Sequence, residues 1–305
     1  MSFSAGNRSG IFKGIAFMVL GCGLLTANDA LMKSLVSTLP LGEVVGLRGL
    51  VALIVVILLA PRIGGFGRLR ANNIKHVLFC SGLLLFNILL FPLCLPFMPF
   101  ADAIILAYTS PIWVVALAPM LISEKVRWQQ WGAVLLGFIG ACLVIKPGGE
   151  GVSWVVLIPL IVAVTVGLRD IVTRKIASTE SAICIVAYAN LLSFLVGLMM
   201  LPLGWKAIDS IQFWQLVFSG VFFSVAQILM VEAFRQVEAT VLSTFKYSSI
   251  LFAAAFGYLF WGELMDWFGW SGALLIIFSG LIIVRYRHQP VGTPANVLPR
   301  MARGD

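Results

Sequence analysis

Residues 28–33 read Asn-Asp-Ala-Leu-Met-Lys and lie in a long apolar stretch, where polar side chains are costly. The pattern recurs 141 positions later, because residues 169–174 read Arg-Asp-Ile-Val-Thr-Arg. In both copies an aspartate follows a polar residue and stands four positions before a basic one. We interpret the recurrence as the trace of two copies of one structural unit.

A second set of residues supports the same repeat further along the chain. Its members recur 139 positions apart, so that Tyr108, Ser110, Glu124 and Trp131 correspond to Tyr247, Ser249, Glu263 and Trp270. In membrane proteins such a repeat is typical of transporters whose binding site lies between the two copies.

The composition places almost the whole chain in a lipid bilayer. Of the 305 residues 60% are hydrophobic and 11% are charged, and the mean hydropathy is +1.02. A helix needs about 20 apolar residues to cross a bilayer. The sequence contains ten such spans, at 12–36, 41–61, 74–96, 99–121, 128–146, 153–173, 181–203, 211–234, 238–261 and 268–286.

The positive charges predict the orientation of the spans. Although the net charge is +8, 15 of the 21 lysines and arginines fall at one set of span ends, against Lys146 and Lys206 at the other. Short loops rich in these residues stay cytoplasmic. We therefore expect a multi-pass protein of the cytoplasmic (inner) membrane with both termini in the cytoplasm, and we exclude nucleic acid as a partner.

Ten spans shared between two copies give five spans per copy. Because five is odd, the second copy enters the membrane from the opposite side. The predicted fold is an all-α membrane protein with ten transmembrane helices in two inverted five-helix repeats. A Pro-Gly-Gly segment within 146–153 is the natural joint. The predicted parts are a cytoplasmic tail at 1–10, repeats at 11–147 and 148–287, and a second cytoplasmic tail at 288–305.

Small residues recur in spans 5 and 10 at helix-packing spacing. They are Gly132, Gly137, Gly140, Ala141, Gly272, Ser279 and Gly280. Such residues let helices approach closely in lipid, so we expect a scaffold role for both spans and, as a second use, a homodimer contact.

Ionisable residues inside the spans are candidates for function, because each is costly in a bilayer unless paired or hydrated. Asp29 can pair with Lys33 one helical turn away, and Asp170 can pair with Arg174. Asp29 lies toward the outer end of span 1 and Asp170 toward the inner end of span 6. Five residues of spans 1 and 6 are therefore predicted to act at two gates or in proton coupling: Asn28, Asp29, Lys33, Asp170 and Arg174. The alternative is that each pair only neutralises itself.

Arg48 in span 2 and Glu232 in span 8 complete this group of predicted gating or proton-coupling residues. Arg48 stands five residues after Glu43, a poor spacing for direct pairing. We expect its partner on another helix, with Asp29 as a candidate. A structural bridge and a substrate contact are both open.

Spans 4 and 9 carry the most site-like segments. Tyr108-Thr109-Ser110-Pro111 places hydroxyl groups before a helix-kinking proline, which frees backbone carbonyls near the middle of the membrane. The counterpart Lys246-Tyr247 adds a cation. The predicted substrate-binding residues are Asn87, Tyr108, Ser110, Trp113, Arg169, Gln227, Lys246 and Tyr247.

Other chemistries find no support in the sequence. The five cysteines lie inside apolar spans without metal-type clustering, so we assign them no disulfide, metal or redox role. No nucleotide-binding loop or nucleophile motif is present. We therefore predict no enzymatic activity, no cofactor and no metal.

Several of these residues resemble the EamA-type transporters of the drug/metabolite transporter superfamily. The similarity rests on the polar motif at 28–33, on Arg48, on Ser-Glu-Lys-Val-Arg-Trp-Gln-Gln-Trp-Gly at 123–132 and on Trp-Gly-Glu-Leu at 261–264. It covers about residues 12–286. It implies a ten-helix secondary transporter with a central cavity lined mainly by spans 1, 3, 4, 6, 8 and 9.

Within that family two stretches are most similar to the S-adenosylmethionine uptake carriers. The first runs from Ala27 to Arg48, and the second from Ala233 to Tyr247. The chain carries Glu238 and Lys246 where those carriers tend to have aspartate and arginine, changes that keep the charge but alter the geometry. The resemblance implies alternating-access transport of a small polar metabolite, with S-adenosylmethionine or a similar zwitterion as leading candidate. A riboflavin carrier, an amino-acid or metabolite exporter, and a non-transporting scaffold or receptor are the alternatives.

Overall fold

A computed structural model describes residues 5–63, 65–122, 128–145, 154–176, 179–236, 242 and 245–285. These residues form helices and short turns, and the described part of the chain contains no strand. The helices are α1 (Ala5–Val36), α2 (Leu41–Leu59), α3 (Ile74–Leu90), α4 (Phe100–Ala107), α5 (Ser110–Ile122), α6 (Trp128–Ile145), α7 (Leu157–Ile176), α8 (Ala182–Met199), α9 (Ser210–Gln236), α10 (Ser248–Trp261) and α11 (Trp267–Arg285). Single 3₁₀ turns lie at Phe66–Leu69, Phe91–Leu93, Leu95–Phe97, Trp154–Val156 and Leu201–Leu203.

Apolar helices occupy the places of all ten predicted spans. Seven helical segments have the length and composition to cross a membrane: Phe12–Val36, Leu41–Leu59, Ile74–Phe97, Phe100–Leu117, Trp154–Thr173, Ala182–Met199 and Ser210–Phe234. Shorter apolar helices occupy the places of spans 5, 9 and 10: Trp131–Leu143, Ser248–Trp261 and Trp267–Ser279. The predicted tail at 1–10 is helical from Ala5 onward, because α1 begins there.

The contacts between the two halves follow a two-fold pattern. Helix α1 packs on α9 and α10, and its counterpart α7 packs on α3 and on the α4–α5 pair. Likewise α2 contacts α9 as α8 contacts α3. The remaining main contacts, α2 with α8, α4 with α10 and α6 with α11, join equivalent helices. Exchanging the halves therefore reproduces the contact pattern, as two inverted five-helix repeats require.

Helices α2 and α8 cross at three glycines. A Cβ atom built on Gly197 would lie 2.2 Å from the Cα of Gly46, and one built on Gly49 would lie 2.9 Å from the backbone nitrogen of Phe194. Only small residues allow helices to approach so closely in lipid. The crossing lets the second helices of both halves meet directly.

Small residues also join α6 to α11. The Ser279 hydroxyl donates to the Ala133 carbonyl at 2.7 Å, and a Cβ on Gly140 would lie 2.8 Å from the Gly272 carbonyl oxygen. Gly132 faces open space, with no atom within 4 Å of an added Cβ. The scaffold role expected for these residues is thus played within one chain, and the homodimer stays a prediction.

Two carboxylates fasten the loops of one half to helices of the other. Glu43, in the first turn of α2, accepts the backbone N–H of Lys206 at 3.0 Å, just before α9. Glu180, just before α8, accepts the backbone N–H groups of Asn72 at 3.1 Å and Asn73 at 2.7 Å, just before α3. Because backbone N–H groups need partners, each loop is held by the opposite half.

Candidate functional site

A cavity of about 120 Å³ lies between the two halves. Leu25, Met32, Phe91 and Phe223 are among its apolar lining residues. The polar and charged lining residues are Asp29, Arg48, Asn87, Tyr108, Ser110, Arg169, Gln227 and Lys246. Spans 1, 3, 4, 6, 8 and 9 all contribute, which is the set that the family resemblance implies, and Arg48 adds span 2.

A break in span 4 gives the cavity part of its polar wall. Helix α4 ends at Ala107 and α5 begins at Ser110, so Tyr108 and Thr109 interrupt the span. The Thr109 hydroxyl bonds back to the Leu106 carbonyl at 2.7 Å. The Tyr108 hydroxyl accepts a bond of 2.7 Å from Ser249 of α10. The break therefore links spans 4 and 9, the two spans related by the repeat.

In the first repeat, Asn28 stands between an acid and a base. Its amide nitrogen donates to Asp29 Oδ1 at 2.9 Å. Its amide oxygen accepts from Arg48 Nη1 at 3.4 Å and from the Ser219 hydroxyl at 2.7 Å. Arg48 is 3% exposed and its guanidinium lies 4.4 Å from the centre of the Phe223 ring. Asp29 and Arg48 both reach the cavity wall, with the Asn28 amide as their bridge.

In the second repeat the equivalent acid, Asp170, forms direct ion pairs. Asp170 contacts the Lys246 ammonium through one oxygen and Arg169 Nη2, at 3.3 Å, through the other. Lys246 also lies 5.3 Å from the centre of the Phe234 ring. Arg169 and Lys246 reach the cavity, while Asp170 stands behind them. Both carboxylate oxygens of Asp170 therefore already have cationic partners within the protein.

The prediction that Asp29 pairs with Lys33 is wrong. Lys33 forms an ion pair with Glu263 and lies 4.6 Å from the centre of the Trp261 ring. The other Glu263 oxygen accepts the backbone N–H of Phe100 at 2.7 Å. Asp29 turns toward the cavity instead, so the helical spacing permitted a pair that tertiary contacts replace.

The described contacts of Asp170 are likewise with Lys246 and Arg169 rather than with Arg174. The Arg174 side chain lies outside the described residues, as do Glu124, Glu238 and the predicted joint at 146–153.

Trp113 and Tyr247 do not reach the cavity, although both were predicted to bind substrate. Trp113 packs edge-on against Phe138, with ring centres 5.6 Å apart. Tyr247 is buried among Ile105, Ile250 and other apolar side chains. Spans that are apolar all round give no period from which an inward face can be read, so the sequence could not place these two rings.

Lys33 and Glu232 are also absent from the cavity wall, so any part they play in gating would be exerted from outside it. Phe223, which the sequence did not single out, does line the cavity. The sequence did contain a pattern that indicates this position, because Phe223 lies one helical turn from Ser219 and one from Gln227 on the same face of α9.

Charges of both signs meet at this site. Two aspartates, Asp29 and Asp170, stand against three cations, Arg48, Arg169 and Lys246, which leaves one positive charge in excess. The apolar remainder of the wall lowers the local dielectric constant and so strengthens the interactions of these charges. Such a cavity can hold a solute that carries an anion, a cation and an apolar surface.

Three proteins of named function are similar to this chain over 65% to 89% of its length. An S-adenosylmethionine uptake transporter of Rickettsia bellii is 26% identical over 278 residues, which cover 89% of this chain and 93% of that protein. The pseudopaline exporter CntI of Pseudomonas aeruginosa is 25% identical over 277 residues, which cover 89% and 96%. A riboflavin transporter of Rhizobium johnstonii is 26% identical over 198 residues, which cover 65% and 66%.

The fold is shared with a solved crystal structure. That protein is 18% identical and superposes with a TM-score of 0.68 over 90% of this chain and 96% of its own. The model of the EamA-like transporter family matches the chain twice, at residues 12–146 and 152–285, once for each repeat. The protein therefore belongs to the EamA-like transporter family, within the drug/metabolite transporter superfamily.

Proposed function

We propose that this transporter of small metabolites carries S-adenosylmethionine, or a similar zwitterion with a planar group, across the cytoplasmic membrane by alternating access. The observation that supports the substrate class is the central cavity, where Asp29 and Arg48 both lie on the wall with the Asn28 amide between them. The apolar and aromatic remainder suits a planar base. The solute leaves chemically unchanged, since the family is one of transporters rather than enzymes.

The two charged clusters support a gating scheme. Lys33 and Glu263 join α1 to the segment after α10, at the predicted outer end of the cavity. Asp170, Lys246 and Arg169 join spans 6 and 9 at the other end. In the proposed cycle the ion pairs of one cluster break while those of the other stay formed. A proton bound to Asp29 or Asp170 is the candidate coupling ion.

The relatives support the class of solute and leave its direction open. One is named for uptake and another for export, and the third is named for riboflavin. The alternatives within the family are a riboflavin carrier and an exporter of an amino acid or another metabolite. The alternative from another class is a scaffold or receptor without flux.

Flux into vesicles tests this proposal. Proteoliposomes with the purified protein take up labelled S-adenosylmethionine, in competition with unlabelled riboflavin and amino acids. We expect saturable uptake that is lost in Asp29→Asn and in Lys246→Ala. Flux of riboflavin or an amino acid instead would keep a transporter and discard the substrate. Absence of flux for all of them would favour the scaffold.

Fusions at opposite sides of the membrane test the predicted topology. We expect green fluorescent protein to fluoresce when it is fused after Asp305, and alkaline phosphatase to be active when it is inserted next to Lys206. The reverse result would contradict cytoplasmic termini.

A further inference from the structure

We propose that Asp29 and Arg48 are the receptor for the α-amino-carboxylate group of the solute, with Arg48 binding the carboxylate and Asp29 the ammonium. This inference rests on the proposed function and assigns the residues that recognise one end of the substrate.

The free edge of the Arg48 guanidinium carries the assignment. Nη1 is taken by Asn28, whereas Nε and Nη2 have no hydrogen-bond partner in the described part of the chain. Nε and Nη2 share one edge of the planar guanidinium, and this edge binds the two oxygens of a carboxylate in parallel. Arg48 is 3% exposed and lines the cavity, and both nitrogens are buried. The unpartnered edge is therefore desolvated, and it becomes available to a solute in the cavity when the side chains that cover it move.

Asp29 lines the same cavity as Arg48, and Asn28 lies between the acid and the base. Asn28 donates to Asp29 Oδ1 and accepts from Arg48 Nη1, so a neutral amide bridges the two charges. Among the ion pairs of the described residues, none within 4.0 Å joins Asp29 to Arg48. A buried charge without a direct partner is costly. A zwitterion supplies the missing partner for both groups at once.

The second repeat shows what the first one lacks. At the position equivalent to Asn28 it carries Arg169, which forms an ion pair with one oxygen of Asp170. Lys246 forms an ion pair with the other oxygen of Asp170. That acid needs no ligand. The two-fold related sites therefore differ, because among the described residues of these two clusters only the first leaves both an acid and a base on the cavity wall.

A protein variant combined with a ligand variant tests the assignment. The probes are S-adenosylmethionine and its decarboxylated form, each competing with labelled S-adenosylmethionine for binding to the purified protein. For the wild type we expect decarboxylation to weaken competition roughly tenfold to hundredfold, the size of a charge-assisted hydrogen-bonded pair. In Arg48→Gln we expect the two probes to compete equally within about threefold.

Two further variants keep the test decisive. Arg48→Lys retains the charge without the planar fork, so its discrimination is expected to fall between those of the wild type and Arg48→Gln. It carries the test if Arg48→Gln fails to fold. Arg62→Gln, at an exposed position after α2, is the matched control and is expected to discriminate as the wild type does.

The outcomes separate this inference from the proposed function. Equal discrimination by the wild type and both Arg48 variants would overturn the carboxylate assignment while S-adenosylmethionine remained the solute. Equal binding of both probes by the wild type would do the same. Absence of S-adenosylmethionine binding by the wild type would overturn the proposed substrate and this inference with it.

Discussion

Asn28 is the residue on which the geometry of the first charged cluster depends. One short side chain bonds to Asp29, Arg48 and Ser219, which belong to three different spans. We predict that Asn28→Ala raises the KM or Kd for the solute about tenfold, because Arg48 and Asp29 lose their common spacer. Equilibrium binding of labelled solute measures the effect. Ser37→Ala, in the exposed turn just after the same helix, is the control, and wild-type affinity in Asn28→Ala would contradict the spacer role.

Asp170 neutralises two cations of the protein itself, Arg169 and Lys246. We predict that Asp170→Asn lowers the thermal unfolding midpoint in detergent, since breaking a buried ion pair by removing one partner costs about 3–5 kcal/mol. The double variant Asp170→Asn with Lys246→Gln should recover part of the loss, because one uncompensated cation is removed with the acid. An unchanged midpoint in Asp170→Asn would show that Arg169 and Lys246 find other partners.

At the scale of single residues, the sequence predicted which charged side chains line the site better than it predicted the partners of those side chains. Asp29, Arg48, Arg169 and Lys246 could be singled out because a charge inside an apolar span is rare and costly. Their partners could not be predicted, since helical spacing says which side chains can meet on one helix and nothing about what another helix offers. Lys33 illustrates this, for its partner Glu263 lies 230 residues away.

At the scale of elements, the α2–α8 crossing depends on Gly197. An added Cβ would lie 2.2 Å from the Cα of Gly46, which is backbone and cannot move aside cheaply. We predict that Gly197→Ala destabilises the protein by about 1–3 kcal/mol through overpacking, seen as a lower thermal midpoint in detergent. Gly132→Ala on α6 is the matched control, since it meets open space. Equal midpoints for both variants would mean that the crossing relaxes freely.

The Lys33–Glu263 contact is the element-scale candidate for a gate, because it ties α1 to the segment between α10 and α11. We predict that a short bifunctional thiol reagent joining Lys33→Cys to Glu263→Cys stops solute flux, and that reduction of a cleavable reagent restores it. The exposed Cys142 is first replaced by serine to prevent side reactions. Each single cysteine variant, treated identically, is the control. Full flux through the cross-linked protein would mean that this contact stays closed throughout transport.

The number of spans was readable from the sequence, and their packing was not. Apolar length sets how many helices cross a membrane, so α2, α3 and α8 could be placed within a few residues. Which helices pack together depends on small local features, such as the glycines at 46 and 197, that look alike in every span. The repeat supplied what periodicity could not, since the offset between Tyr108 and Tyr247 implied that spans 4 and 9 are equivalent.

At the scale of the whole molecule, most of the packing lies between the halves rather than within them. Helix α1 packs mainly on α9, α2 on α8, and α6 on α11, while contacts between successive helices of one half are few. The loops follow the same rule, since Glu43 and Glu180 each hold a loop of the opposite half. Neither half therefore has a core of its own, and each is expected to need the other to fold.

Splitting the chain tests this dependence. We predict that fragments 1–147 and 148–305, expressed together, copurify through a tag on one of them and restore solute flux. Each fragment alone should be degraded, because its inner faces stay exposed to lipid. Two copies of the first fragment cannot substitute for the missing half, since both would enter the membrane in the same orientation and the inverted pairing could not form. Gly197→Leu in the second fragment should abolish copurification while Gly132→Ala in the first does not. A single fragment that resists protease on its own would contradict the shared core.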